Sequence, residues 1–274
     1  MTHFTLSDIY IYPVKSLAGI SVRHWPVTKT GLLHDRKWML IDKDRQFLSQ
    51  RKLPRMALIK TALAENDLVL SAPGMENLIL PLTPEGGEII DSTIWRDQCD
   101  ARSVSPKADQ WLSRFLNIDC RLVYQPDDEI RRVDPNYAQT TDQVSFADGF
   151  PFLIISENSL ASLNREMGLD FPITRFRPNL VIAGCPAYAE DSWREIRIGA
   201  IDFRLPKPCS RCSVPTIDPE TAQTGKEPLI TLNRVRKWQN KVYFGQNALH
   251  DQCGVLTVGD IVQVKSTGPS QPPI

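Results

Sequence analysis

The chain has 274 residues, with 32 basic and 32 acidic side chains and a formal net charge of zero. That length can bury a sizeable core in one large or two modest domains. The balanced charge argues against a nucleic-acid or membrane partner chosen by bulk electrostatics. The six cysteines make no dense disulfide framework, and no secretory signal pattern precedes them. No apolar run approaches the roughly 20 residues that span a bilayer, so a reduced, cytoplasmic setting is expected.

Twenty-one prolines against fourteen glycines suggest many short strands joined by stiff turns. Residues 4–12 alternate as a strand, and Pro13 stops it with Lys15 and Ser16 just past its end. Trp38–Asp42 and Gln46–Leu48 flank a polar turn and predict a hairpin, with Arg36 just before it. A second hairpin is expected from Ala57–Leu63 and Leu68–Leu70, and short strands from Leu78–Leu80 and Ser92–Trp95. Pro106–Leu116 reads as a helix, with Ser105 as N-cap and Pro106 at the first helical position. Its Ala108, Trp111, Leu112 and Phe115 recur at helical spacing and are assigned to the core. Pro126–Thr141 reads as a long polar loop.

Phe150–Ile155 is a buried strand by composition. Ser156 then caps a helix that runs to Met167 and ends at Gly168. Arg177 and Asn179 flank Pro178 ahead of the apolar strand Leu180–Ala183. Ile196–Ile198 and Ile201–Leu205 form a hairpin whose second strand leads into Cys209. Leu229–Val235 is a helix. Tyr243–Phe244, Val255–Val258 and Ile261–Val264 are strands, and the Pro/Ser/Gly tail from 265 to 274 is expected to be disordered. Neither a P-loop nor a dinucleotide fingerprint is present. The fold class is therefore β-dominated α+β.

The stretch Lys207–Arg236 carries the chemistry. Cys209 and Cys212 are separated by Ser210 and Arg211, and Pro208 stiffens the approach to the first thiol. The segment after Cys212 reads as a short β run ending in a turn at Asp218-Pro219-Glu220. A guanidinium beside a thiol favours the thiolate. Spacing alone leaves several readings open. Half a zinc site would need two more ligands at suitable spacing. A thioredoxin-like pair would need a strand-to-helix junction, against which Pro215 argues. The third reading is two inert, half-buried cysteines.

PCSRC followed by T-x-D-P-E and KEPLxTL resembles the C-terminal signature of the MOSC domain (molybdenum cofactor sulfurase C-terminal). The closer likeness is to the branch containing the mitochondrial amidoxime-reducing components and the bacterial YcbX proteins. YPVKS (Tyr12–Ser16), Asp35-Arg36, SFADGFP (Ser145–Pro151), FRPN (Phe176–Asn179), EDSW (Glu190–Trp193) and FGQN (Phe244–Asn247) follow in the family's order across nearly the whole chain. The resemblance implies an N-terminal β-rich domain over 1–122 and a MOSC β-barrel with a few helices over 123–264.

It also implies a molybdenum cofactor, a pyranopterin that ends in a phosphate, with Cys212 as the metal ligand and catalytic position. The cations that match the family's phosphate grip are Lys15, with Ser16 beside it, Arg36 and Arg177. Asn179 and Ser210 match positions that donate to the pterin, Arg211 would do the same or stabilise the thiolate, and Asp148 would accept from pterin amines. Gly149-Phe150 and Asn247 follow the bacterial pattern and depart from the mitochondrial one.

The activity implied is reduction of N-hydroxylated compounds such as amidoximes, hydroxylamines and N-hydroxylated nucleobases. Two alternatives stand beside it: a sulfur carrier using a Cys212 persulfide, and a non-catalytic cofactor-binding protein. The longer bacterial relatives carry a ferredoxin-like domain. No plant-type cysteine spacing for such a cluster occurs here, so electrons are expected from an external carrier of flavodoxin, ferredoxin or cytochrome b5 type with its reductase. Arg234, Arg236 and Lys237 form either its docking patch or a solvated helix face.

Overall fold

The computed structural model describes residues 3–273. The first half contains β1 (Phe4–Ile11), β2 (Ile20–Val22), β3 (His24–Thr28), β4 (Gly31–Leu32), β5 (Trp38–Ile41), β6 (Lys60–Leu63), β7 (Asp67–Ser71), β8 (Leu78–Pro81), β9 (Ile89–Ile94), β10 (Asp97–Ser103) and α1 (Pro106–Leu116). After β11 (Arg121–Tyr124) come β12 (Phe152–Ser156), α2 (Glu157–Met167), β13 (Leu180–Ala183), β14 (Trp193–Ile198) and β15 (Ile201–Ser210). The chain closes with α3 (Leu229–Val235), β16 (Lys237–Trp238), β17 (Lys241–His250), β18 (Gly254–Thr257) and β19 (Ile261–Thr267). The fold is the β-dominated α+β arrangement expected from the sequence.

Seven strands close into a barrel in the order β12-β13-β1-β19-β14-β15-β17, with β17 pairing back to β12. Closure removes sheet edges that would otherwise expose unpaired amides. It depends on Gly245, at φ 79°, where a Cβ would lie 2.7 Å from Ile155 and 2.9 Å from the Ile154 carbonyl. Only glycine allows both that backbone conformation and the approach of β17 to β12. The barrel interior is filled by Leu6, Ile9, Ile154, Ile182, Ile196 and Phe203, each 0% exposed. The parallel pair β12–β13 is bridged by α2, as a parallel connection requires.

The other sheets are β5-β11-β10-β9, the meander β6-β7-β8, and β18-β3-β4. A second core lies where Trp38, Leu40, Leu68 and Leu70 meet Ala108, Leu112 and Phe115 of α1. Ser105 caps that helix by accepting from the Ala108 amide, as the sequence suggested. The division expected at residue 122 runs through β11. It also leaves β1 inside the barrel, between β13 and β19, so chain order and strand pairing do not share one boundary.

Three local expectations are corrected. The segment after Cys212 is no β run: Val214–Thr216 is a 3-10 turn, because Pro215 has no amide to give a ladder. Residues 54–58 are likewise a 3-10 turn, so the strand expected from Ala57 begins at Lys60. The tail is docked as far as Pro272. β19 continues to Thr267, the Gly268 amide donates to Ser192, the Gln271 amide donates to Asp191, and Pro272 is buried. Ile274 lies outside the described residues.

Candidate functional site

One cleft lies at the end of the barrel where β1 and β15 finish and the loops before β12 and β13 begin. Its cavity volume is about 170 Å³, and it is partly open to solvent. All nine residues singled out in the sequence line it: Lys15, Ser16, Arg36, Asp148, Arg177, Asn179, Ser210, Arg211 and Cys212. They come from five separate segments, and the barrel joins those segments.

The local backbone is unusual at three of these positions. Ser16, Arg36 and Arg177 have φ of 67°, 51° and 56°. Left-handed backbone in non-glycine residues costs energy and gathers at functional sites. Arg36 is locked there by its amide, which donates to Tyr12, and by its carbonyl, which accepts from Phe146. Arg177 ends the 3-10 turn Ile173–Phe176.

Charge defines the cleft. Lys15, Arg36, Arg51, Arg177 and Arg211 line it against the single carboxylate Asp148. The Lys15 ammonium is buried and donates to the Phe146 carbonyl at 2.7 Å and to Asp148 Oδ1 at 2.5 Å. Two of its three protons are therefore committed and one is open. Burial lowers the Lys15 pKa, although the Asp148 charge and hydrogen bond oppose the shift.

Asp148 is hemmed in by protein atoms, yet 61% of its side chain faces the open cleft. The desolvation raises its pKa, but Lys15, the Trp95 indole N–H and Arg51 outweigh it and hold the carboxyl well below the usual range.

Arg36 Nη1 donates to the buried Asp35 and to Asn179 Oδ1 at 3.0 Å. Burial raises the Asp35 pKa despite that partner. Arg177 Nη1 donates to the Leu17 carbonyl at 2.6 Å, and burial pushes its pKa down to about 10. Both guanidiniums lie over the Tyr12 ring, at 4.3 and 4.2 Å from its centroid, so the YPVKS tyrosine is a platform that spaces two cations. Asn179 is committed within the protein: Oδ1 accepts from Arg36 and from the Leu153 amide, and Nδ2 donates to Tyr10. Its visible role is to hold Arg36.

The two thiols differ. Arg211 Nη1 reaches Cys209 Sγ at 3.1 Å, and Nη2 donates to the Phe176 carbonyl at 2.6 Å. The guanidinium therefore faces the first cysteine. Its Nε is buried with no hydrogen-bond partner among the described residues. Both cysteines are free and half-buried in the cleft. The loop after Cys212 is fixed by Arg175, which pairs with Asp218 at 2.7 Å. Asp218 in turn accepts from the Glu220 and Thr221 amides, which is the expected turn. Among the described residues no group of three or more His, Cys, Asp or Glu side chains could hold a metal ion.

Sequence reasoning missed Gln50, whose amide donates to the Ser16 carbonyl at 2.7 Å. It also missed Arg51, Phe47 and Trp95 around Asp148. Gln50, Arg51 and Trp95 sit on turns and Phe47 in a lone β-bridge with Ile41, and none carries a local pattern that marks it for a site. The expected patch at 234–237 is corrected at one position. Only Arg236 departs from it, being buried against Asp191; Arg234 and Lys237 are exposed, as a solvated face would have them, and Arg234 pairs with Glu166.

The MOSC N-terminal beta barrel domain model matches residues 3–119, and the MOSC domain model matches residues 141–263. Mitochondrial amidoxime-reducing component 1 of Mus musculus is 36% identical over 276 residues, covering 94% of this chain and 81% of the relative. Its Homo sapiens counterpart is also 36% identical, covering 94% and 82%. Mitochondrial amidoxime reducing component 2 of Bos taurus is 33% identical over 281 residues, covering 94% and 82%. This chain belongs to the family of MOSC-domain proteins that includes these amidoxime-reducing components.

Proposed function

We propose that this protein is a molybdenum-cofactor-dependent reductase of N-hydroxylated compounds. The observation that carries the reading is the convergence of Cys212 with Lys15, Arg36 and Arg177 in one cleft, in a chain of this family. The donor set fits such a cofactor. A terminal phosphate suits a cluster of open cationic donors, a thiolate suits a soft metal, and the orphaned Arg211 Nε offers a buried donor. Among the described residues Cys212 belongs to no group of three or more metal-binding side chains, which suits a metal that arrives with ligands of its own. When bound, the cofactor supplies the two-electron chemistry that removes oxygen from nitrogen.

The chain's part is binding and orientation. The open Lys15 proton and the uncommitted donors of Arg36 and Arg177 hold the phosphate. Tyr12 keeps the two guanidiniums at fixed spacing. Asp148, ionised beside Lys15, accepts from pterin amines, and Ser210, exposed at the end of β15, donates to the ring. Cys212 holds the metal on a loop stiffened by Pro215 and the Arg175–Asp218 pair.

Electrons come from a separate carrier of flavodoxin, ferredoxin or cytochrome b5 type with its reductase, in the cytoplasm. The cysteines at 99, 120, 185, 209, 212 and 253 have no plant-type cluster spacing. No helix among the described residues is long and apolar enough to cross a membrane. The test is an assay of amidoxime reduction. Turnover is expected with reduced viologen and not with NADH or NADPH alone, until a carrier and its reductase are added. No turnover by cofactor-loaded protein under any donor would sink the reading.

A further inference from the structure

The loop Ser145–Asp148 is held from two sides by two cations, and only one of them is in the cleft. The Ser145 and Ala147 carbonyls accept from Arg131 Nη1 at 2.8 and 2.6 Å. The intervening Phe146 carbonyl, and the Asp148 carboxylate beyond, accept from Lys15. Arg131 is buried and lies outside the cleft lining. Its Nε and Nη2 both donate to Asp97 Oδ2, at 2.9 and 2.6 Å. Asp97 opens β10 at the tip of the hairpin with β9, and that hairpin also carries Trp95, whose indole donates to Asp148 at 3.1 Å.

We propose that Arg131 is a positioning residue for the anion grip: anchored on Asp97, it fixes the 145–148 loop and so sets how Lys15 is aimed into the cleft. The inference rests on the reading of the cleft as a cofactor-phosphate site. A guanidinium is suited to the task because its rigid fork serves two carbonyls and a carboxylate together. An ammonium at this place is shorter and presents no fork. Without Arg131 the loop carbonyls lose their outer partner. Phe146 and Asp148 are then free to shift, and the Lys15 ammonium follows its acceptors away from the ligand.

The test is a double-mutant cycle on the rate of pterin loss from the cofactor-loaded protein, read by pterin fluorescence during dialysis. Arg131→Gln and Lys15→Met are each expected to speed loss about tenfold or more. The double variant should lose pterin no faster than Lys15→Met alone, because Arg131 acts through Lys15. Thermal melts of the same set separate this from general loosening, which would add the two effects. If Arg131→Gln fails to fold, Asp97→Asn, which keeps the guanidinium and weakens only its anchor, takes its place in the cycle. Additive effects on pterin loss, or no effect of either outer variant, overturn the positioning role. Wild-type protein that retains neither pterin nor molybdenum overturns the reading of the site itself, and this inference with it.

Discussion

Two clusters of arginine, carboxylate and amide stand at different places on the barrel. In the cleft, five cations meet one carboxylate, and donors on Lys15, Arg36 and Arg177 stay open. Beside β17 the EDSW and FGQN motifs meet. Arg236 pairs with Asp191, Gln246 donates to Asp191 Oδ1 at 2.7 Å and to the Gln271 carbonyl at 2.7 Å, and Arg236 covers the Tyr188 ring at 4.3 Å. Here the donors are matched by acceptors, and the docked tail is part of the match. The comparison separates two meanings of a motif. Cations with donors open to a cleft point to a ligand, whereas buried polar groups paired with one another point to the fold, even where an acceptor such as Glu190 Oε2 stays unmet. Glu190, Asp191 and Gln246 are buried fold residues, although their motifs read no differently from Lys15 and Arg177 in sequence.

The comparison can be broken by mutation, and the largest effect falls on the thiol. Cys212→Ser is expected to abolish amidoxime reduction by cofactor-loaded protein, since a serine oxygen is a harder ligand than a thiolate. Retained turnover would remove Cys212 from the centre of the account.

Next in size is the closed cluster. Arg236→Met leaves Asp191 buried without its cation and should cost about 3–5 kcal/mol of stability in urea unfolding. The pterin bound per folded chain should stay the same. Arg177→Ala should do the reverse. Losing one charge-assisted contact is worth about 1.5–3 kcal/mol of phosphate affinity, with a smaller change in the unfolding midpoint. Arg36→Ala is less clean than Arg177→Ala, because it also strands the buried Asp35 carboxylate. If Arg177→Ala and Arg236→Met affect stability and retention in the same ratio, the distinction between the clusters fails.

A pH titration sharpens the same contrast. Burial depresses the Lys15 pKa below its ordinary 10.5, so pterin retention should weaken with rising pH before an ordinary lysine would titrate. The stability of the cofactor-free protein carries the opposite sign. Between the depressed pKa and 10.5 the unfolded chain binds more protons at this position, so the Lys15 contribution to stability rises with pH. Lys15→Met should remove both trends. The smallest effect is expected from Cys209→Ser. Its hydroxyl still accepts from Arg211, so retention should change by under about 1 kcal/mol.

Much of the site was legible because its residues lie in short motifs at strand ends, where a strand fixes the backbone and the side chain stays free. Lys15, Arg177 and Cys212 were found because those motifs match the family's, since spacing alone left the two cysteines open to several readings. The helices were legible from caps: Ser105 and Ser156 mark the starts of α1 and α2. What escaped was set by distant pairing. β10 is a polar strand, Asp97–Ser103, with only Cys99 and Ala101 fully buried, so its alternation is too weak to read without its partner β9. β1 joins the barrel through β13 and β19, which lie more than 150 residues away in sequence. The left-handed backbone at Ser16, Arg36 and Arg177 has no glycine to announce it. Arg131 read as one more charge in a polar loop, and its partners, the carbonyls of Ser145 and Ala147, leave no trace in side-chain identity. Arg211 was expected to face a thiolate, and local sequence could not say that it would turn toward Cys209.

The central claim is that this cleft holds a molybdenum cofactor through Cys212 and the cations around it. The most direct measurement is the molybdenum and pterin content of the chain purified from a host that makes the cofactor. Stoichiometric molybdenum with pterin is predicted for the wild-type protein. Well-folded protein from that host with no molybdenum and no pterin would contradict the account.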